Sequence, residues 1–300
     1  MSLVTTKLQF REPVLQDAAW AVPLLMAQDA LACEYSFTTI YMWRRYYKNQ
    51  LAFADGQLFL KSGEGDNTAF LLPIGGDLHR GLDCLRAYAA EQGIPLLLFG
   101  ADQETAERID GWYPGVFGWT ESRGDFDYLY EQSALAELPG KKYHSKRNHV
   151  AGFSKNFAWS YEPITDGNAA EVVEMAAEWC RSKGNCADRG LRSEQCAIRE
   201  AMAHRQELSL TGGLLRVDGR VAAFSFGSPI SRTVFDVHVE KALPAFPGAY
   251  AVINQQFSKR LSDYRYLNRE NDLNMEGLRK AKLSYHPTIL LEKYIGRADA

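Results

Sequence analysis

Cysteine is scarce in this 300-residue chain: five residues, an odd number, spread without framework spacing. That excludes a disulfide-stapled fold and points to reduced thiols, as in the cytoplasm. Cys180, Cys186, Cys196 and His204 match no zinc-binding spacing. Long apolar runs are missing too. Ile94–Phe99 is too short to cross a bilayer, and Leu214–Phe226 is interrupted by Asp218 and Arg220. Met1–Glu12 lacks the basic start and apolar core of a secretory signal. An overall positive charge is absent, since the formal net charge is −3. This excludes a uniformly basic nucleic-acid coat but leaves room for a local basic patch. The sequence holds no nucleotide P-loop, no glycine-rich dinucleotide fingerprint, no serine-hydrolase elbow and no HExxH. Asp272-x-Asn274-x-Glu276-Gly277 begins like a calcium loop, but its ninth position is Lys280 and its twelfth Leu283. A cation and an apolar residue in those places exclude the loop, and no metal site is expected.

What is present is ordinary material for buried cores, with 46% apolar residues, fifteen Phe, fifteen Tyr and six Trp. Asp55-Gly56 between apolar runs predicts a β-hairpin over Leu51–Leu60, and Asp218-Gly219 predicts another over Leu214–Phe226. After the first come a strand at Ala69–Ile74, a helix from His79 to Gln92, a strand at Ile94–Phe99 and a helix at Glu104–Trp112. After the second come a strand at Thr233–Glu240, a helix at Ala249–Ser262, and strands at Tyr264–Asn268 and Ile289–Tyr294. Helices are also predicted at Asn168–Ser182 and Ser193–Arg205, the latter capped by Ser193. Hairpin, strand, helix and strand thus recur in one order, which predicts two similar mixed α/β units, an α+β fold. Pro139-Gly140 marks the expected boundary, giving domains 1–138 and 139–300.

Three segments could carry chemistry. Lys141–Lys155 holds five Lys/Arg and two His with no acid. It reads either as a solvated helix face or as an anion site, in which Lys141, Lys142, Lys146 and Arg147 neutralise phosphate beside His144. Asn268–Pro287 is denser, with Arg269, Glu270, Asp272, Glu276, Arg279, Lys280 and Lys282 among three Asn. Glu276 and Lys280 have the spacing of a helical ion pair, but the Asn-rich approach and the Ser-Tyr-His-Pro exit favour a functional loop. In Asp236–Tyr250, His238 and Glu240 share a strand face, and the chain then enters a helix near Gly248. That helix start reads either as a plain connection or as an anion site. Tyr35–Trp43 reads mainly as packing, with a possible place lining a cleft.

Gly140-Lys-Lys-Tyr-His-Ser-Lys-Arg-Asn-His149, Glu240-Lys241, Gly248-Ala-Tyr250, Ile253-Asn254, Asn268-Arg-Glu-Asn-Asp272 and Gly277-Leu-Arg-Lys-Ala-Lys-Leu-Ser-Tyr285 together resemble a bacterial family similar to the C-terminal domain of phosphatidylglycerol lysyltransferase. The resemblance reaches Glu34-Tyr-Ser-Phe and Tyr41-Met-Trp43 and so covers nearly the whole chain. It implies two tandem acetyltransferase-like (GNAT-like) units with a cleft between or within them. It also implies acyl or aminoacyl transfer from an anionic donor, charged tRNA or acyl-CoA, to an amine or hydroxyl on a small molecule, peptide or lipid head group. The family's membrane-spanning half has no counterpart in this sequence, which leaves a soluble acceptor open. The roles implied are acid–base or amine-binding work for Glu240 and Glu270, with His238 as an alternative and Tyr285 as a donor. Lys141, Lys142, His144, Lys146, Arg147, Gly248, Tyr250, Asn254, Asn268, Arg269, Asp272, Arg279, Lys280 and Lys282 would bind or orient the substrates. The loop Ala242–Gly248 is not the glycine-rich loop by which acetyltransferases hold coenzyme A. The alternative reading is a non-catalytic protein holding tRNA, a nucleotide or a phospholipid head group.

Overall fold

A computed structural model describes residues 7–183 and 188–299; Cys186 lies outside them. Both Asp-Gly turns form. Asp55, Gly56, Asp218 and Gly219 all have positive φ, the conformation whose twist matches paired strands. The first turn joins β1 (Gln50–Ala54) to β2 (Gln57–Ser62). β3 (Ala69–Leu71) lies antiparallel to β2, the helix Leu78–Gln92 crosses over, and β4 (Leu96–Ala101) pairs parallel to β3. β5 (Gly118–Glu121) and β6 (Asp127–Glu131) follow, then β7 (Trp159–Pro163). The second turn joins β8 (Thr211–Val217) to β9 (Arg220–Pro229). β10 (Val234–Ala242) lies antiparallel to β9, the helix Ala249–Lys259 crosses over, and β11 (Tyr266–Asn268) pairs parallel to β10. The recurrence in element order is therefore a recurrence in topology.

Two strands cross between the units. The six-stranded sheet runs β1-β2-β3-β4-β13-β5, where β13 (Tyr294–Ala298) is the last strand of the chain. The seven-stranded sheet runs β12-β6-β11-β10-β9-β8-β7, with β12 at Ile289–Leu291. β6 thus precedes residue 138 yet sits in the second sheet, so the sheets do not part at the expected boundary. The single strand expected over Ile289–Tyr294 is two, β12 and β13, because Glu292-Lys293 carries the chain from one sheet to the other. The helix expected from Ser193 begins at Arg189. Asp188 caps it, accepting from Leu191 N at 2.9 Å, and Ser193 falls in its interior.

Alternation along the strands sorts the second core. Leu214, Phe224 and Phe226 pack with Val172, Ala176 and Ile198 of the helices Ala169–Ser182 and Arg189–Ala203. Their neighbours Leu215 and Ala223 pack on the other face with Phe153, Val252 and Ile253. Each fully buried Leu or Phe contributes about 1.5–3 kcal/mol, so a one-residue register slip, which would exchange the two faces, is strongly opposed. The first sheet packs Phe59, Phe70 and Leu98 against Leu82, Leu85 and Ile109. Among the described residues no helix is long and apolar enough to cross a membrane.

Candidate active site

β10 and β11 pair over only three positions, ending at Asp236↔Asn268. Beyond that pair β10 continues along β9 to Ala242, with a register shift between Asp236 and Val239, while the chain after Asn268 turns away. An opening at the carboxyl ends of parallel strands is where open α/β sheets bind ligands. Side chains from both edges bridge it. Arg269 Nη2 donates to Glu240 Oε1 at 2.8 Å, and Asn254 Nδ2 donates to Glu240 Oε2 at 3.1 Å. Deeper in, His238 Nδ1 lies 3.3 Å from Asp236 Oδ2 and 3.3 Å from Glu270 Oε1. His238 Nε2 is 2.8 Å from Ser228 Oγ, and Thr39 Oγ1 lies 3.4 Å from Nδ1.

This group is buried, and burial governs its charges. Burial pushes the Asp236 carboxyl up to about 7. Burial alone would depress His238, but the Asp236 and Glu270 carboxylates outweigh it and hold the imidazole up at about 9. Neither Asp236 oxygen has a hydrogen-bond partner of good geometry; its 3.3 Å approach to His238 is an ion-pair contact. Asn254 Oδ1 and Arg269 Nη1 are likewise buried and unpartnered. Orphaned buried polar atoms are rare and costly, and here Asn254 and Arg269, which both carry one, bind the same Glu240 carboxylate.

The loop after β11 is held from behind. Lys282, on the helix Glu276–Leu283, donates to the main-chain carbonyls of Arg269, Glu270 (3.0 Å) and Asn271 (2.6 Å). All its donors are spent, so Lys282 shapes the loop from inside the protein. Burial, helped by the nearby Arg269 charge, lowers it to about 8. Asp272 is buried. Arg279 (2.7 and 3.0 Å), Tyr128 Oη (2.6 Å) and Arg123 (3.1 Å) donate to its carboxylate. Against the effect of burial, Arg279, Tyr128 and the Asn274 N–H hold it well below the usual carboxylate range. Asp272 and Arg279 therefore fasten the loop. Asn268 is also committed inside, to Asp127, Leu31 and Glu270.

The basic segment divides. Lys146, half-buried on the helix His144–Asn156, donates to Ser284 Oγ at 2.7 Å and lies 3.8 Å from the Tyr285 ring centre. Arg269 lies 4.9 Å from the same ring. Burial, with Arg269 nearby, lowers Lys146, and burial raises the Tyr285 hydroxyl. Arg147 instead donates to the carbonyls of Leu138 (2.5 Å) and Gly140 (2.7 Å), closing the Pro-Gly turn. Lys141, Lys142 and His144 are exposed, and His144 Nε2 meets Asn148 at 3.2 Å. Glu276 and Lys280 are exposed, and no ion pair joins them among the described residues. Tyr250 is 43% exposed, its hydroxyl accepting from Trp179 Nε1 at 3.0 Å. Gly248 caps the helix after β10 at φ 94°, packed against the His149 carbonyl.

The fold thus gathers Glu240, His238, Glu270, Arg269, Asn254, Lys146 and Tyr285. Among the described residues no hydrogen bond or ion pair joins the side chains of Lys141, Lys142, His144, Arg147, Tyr250 or Lys280 to that group. Sequence reasoning passed over Asp236, Ser228 and Thr39. The alternation Asp236, His238, Glu240 was a usable signal for the first; Ser228 and Thr39 give none. Among the described residues two groups offer three ligand-type side chains at close range, Cys33/Glu34/Asp127 and Asp236/His238/Glu270. In the first the neutralising cation is Lys293, with Nζ 2.9 Å from Asp127. In the second it is the His238 imidazolium.

Residues 28–297 match the family described as phosphatidylglycerol lysyltransferase, C-terminal. The chain belongs to that family. A conserved protein of unknown function from Bacteroides thetaiotaomicron VPI-5482 is 38% identical, with a TM-score of 0.93 over 97% of this chain and 99% of that one. The C-terminal domain of a putative lysylphosphatidylglycerol synthetase from Agrobacterium fabrum is similar at 14% identity, TM-score 0.69, over 95% and 92%. L-PGS from Bacillus licheniformis is similar at 13%, TM-score 0.60, over 84% of each chain. No curated protein matches the sequence. The chain's architecture is two mixed α/β units of recurring topology, and its family is that of a transferase domain.

Proposed function

We propose that this protein transfers an acyl group, foremost an aminoacyl group, from charged tRNA or an acyl-CoA to an amine or hydroxyl acceptor. The observation that carries this reading is the unpartnered Arg269 Nη1 held beside Glu240, in the same opening as the Glu270–His238–Asp236 group. Acyl transfer needs a donor aimed at a carbonyl oxygen as it gains charge, and a base for the acceptor's proton. Arg269 Nη1 supplies the first. Glu270, the most accessible member of its group at 23% exposure, supplies the second. The acceptor's nitrogen or oxygen bonds to the carbonyl carbon, its proton passes to Glu270, and the ester or thioester bond to the donor breaks. The departing oxygen or sulfur then takes that proton. Lys146 on one wall, with Lys141 and Lys142 further out, offers positive charge to the donor's phosphates.

The test is incubation with tRNAs carrying labelled amino acids and with labelled acetyl-CoA, across amine and hydroxyl acceptors. Label should reach an acceptor, and Arg269→Gln should lower kcat/KM by about 10²–10³, as for loss of an oxyanion donor. Salt-sensitive tRNA binding with neither transfer nor hydrolysis would replace the enzyme with a binding protein.

A further inference from the structure

The group around His238 lies in the second sheet, yet much of its support comes from elsewhere in the chain. Lys293, at the crossing from β12 to β13, is buried, its Nζ 2.9 Å from Asp127 Oδ1 and 2.6 Å from Glu34 Oε2. Asp127 Oδ2 accepts from Cys33 N and from Asn268 Nδ2, each at 2.8 Å. Asn268 Nδ2 also donates to the Leu31 carbonyl at 2.8 Å. A carboxylate and a carbonyl can only accept, so the Asn268 amide has one allowed orientation. That orientation turns Oδ1 toward the Glu270 N–H, which donates to it at 2.7 Å. Glu270 there adopts φ 54°, a left-handed conformation costly for a residue with a side chain and kept only where surroundings demand it.

A second approach comes from the short helix Phe37–Met42. Ser36 Oγ, its cap, lies 3.3 Å from Ser228 Oγ, which meets His238 Nε2. Thr39 Oγ1 lies beside Nδ1. The charged groups closest to the imidazole are Asp236 and Glu270; behind them stand Asp127, Glu34, Lys293 and the Lys282 ammonium.

We propose that Asp127, Asn268 and Lys293 are positioning residues that hold the Glu270 carboxylate against the His238 imidazole, and that Thr39 positions the imidazole itself. The first half of the chain and its last crossing thereby complete a site whose reacting groups lie in the second sheet. The contacts carry the inference; its consequence for catalysis rests on the transferase reading.

The measurement is the titration of His238, followed by NMR in histidine-labelled full-length protein and assigned with His238→Gln. In Asn268→Leu the Glu270 turn loses its anchor, and the midpoint should fall by at least about one pH unit, tenfold in the protonation equilibrium. Lys293→Arg, which keeps the charge, should leave it in place. Thr39→Val, nearly isosteric, provides a variant that keeps the fold should Asn268→Leu not, and should shift the midpoint in a protein of unchanged melting temperature. Midpoints within about 0.3 pH unit of the wild type in folded Asn268→Leu and Thr39→Val would overturn the proposal. The readout requires no acyl donor, so a failure here and a failure to detect transfer are separate results.

Discussion

Single residues show how a charge changes meaning once its surroundings are known. Arg269, Arg279 and Lys282 are three cations within fourteen positions, and in sequence they look alike. Arg269 keeps one buried donor without a partner, Arg279 fastens Asp272, and Lys282 caps three carbonyls. The difference comes from neighbours distant in sequence, such as Glu240 and Tyr128, that no local pattern reveals. His238 makes a thermodynamic prediction. Its folded-state value, about 9, lies above the ordinary 6.5. The proton it gains on folding therefore stabilises the protein fully below about pH 6.5, and this contribution is lost as pH rises through about 9. Melting curves should show the wild type losing stability over that window relative to His238→Gln. Parallel pH profiles for the two proteins would contradict the ion triad.

Elements were legible where a local device sets them. The Asp-Gly turns, the helix Leu78–Gln92 capped by Asp77 and ended by Gly93, and β10 each follow from turn chemistry or periodicity. β5, β6 and β7 did not announce themselves, since they are only four or five residues long and the strands that pair with them are all remote in the chain. Gly248 is a position where an element depends on one atom's absence. A Cβ there would stand 2.8 Å from the His149 carbonyl oxygen, and φ is 94°. Gly248→Ala should cost about 1–3 kcal/mol, read as a lowered denaturation midpoint. The same change should disturb the helix Ala249–Lys259 that presents Asn254 to Glu240, so donor binding should weaken with stability.

At the scale of the whole molecule the governing feature is the strand exchange. β13 fills the place between β4 and β5, and β6 the place between β11 and β12. Neither sheet is complete without a strand from the other half, and an unfilled place would leave two rows of buried backbone groups unpaired. Separately produced segments 1–138 and 139–300 should each fail to show a cooperative melting transition by circular dichroism, while the two produced together should co-elute as one folded species. Two independently stable halves would show that the exchange is dispensable. The exchange also carries Lys293 and Asp127 to the seam beside Asn268, linking the architecture to the candidate site.

The sequence by itself determined two units of like element order, and it singled out Glu240, His238, Arg269 and Glu270, whose side chains the fold draws into linked contacts. Those follow from spacing, turn chemistry and composition, which act over a few residues. Tertiary structure alone decided which cations are free, that Asp236 and Thr39 join His238, and that the sheets trade strands instead of parting at residue 138. Each of these depends on burial and on contacts between residues far apart in the chain. Burial makes an unpaired charge expensive, so the fold pairs Asp272 with Arg279, turns the Lys282 ammonium onto three carbonyls, and sets Arg269 against Glu240 and Glu270 against His238.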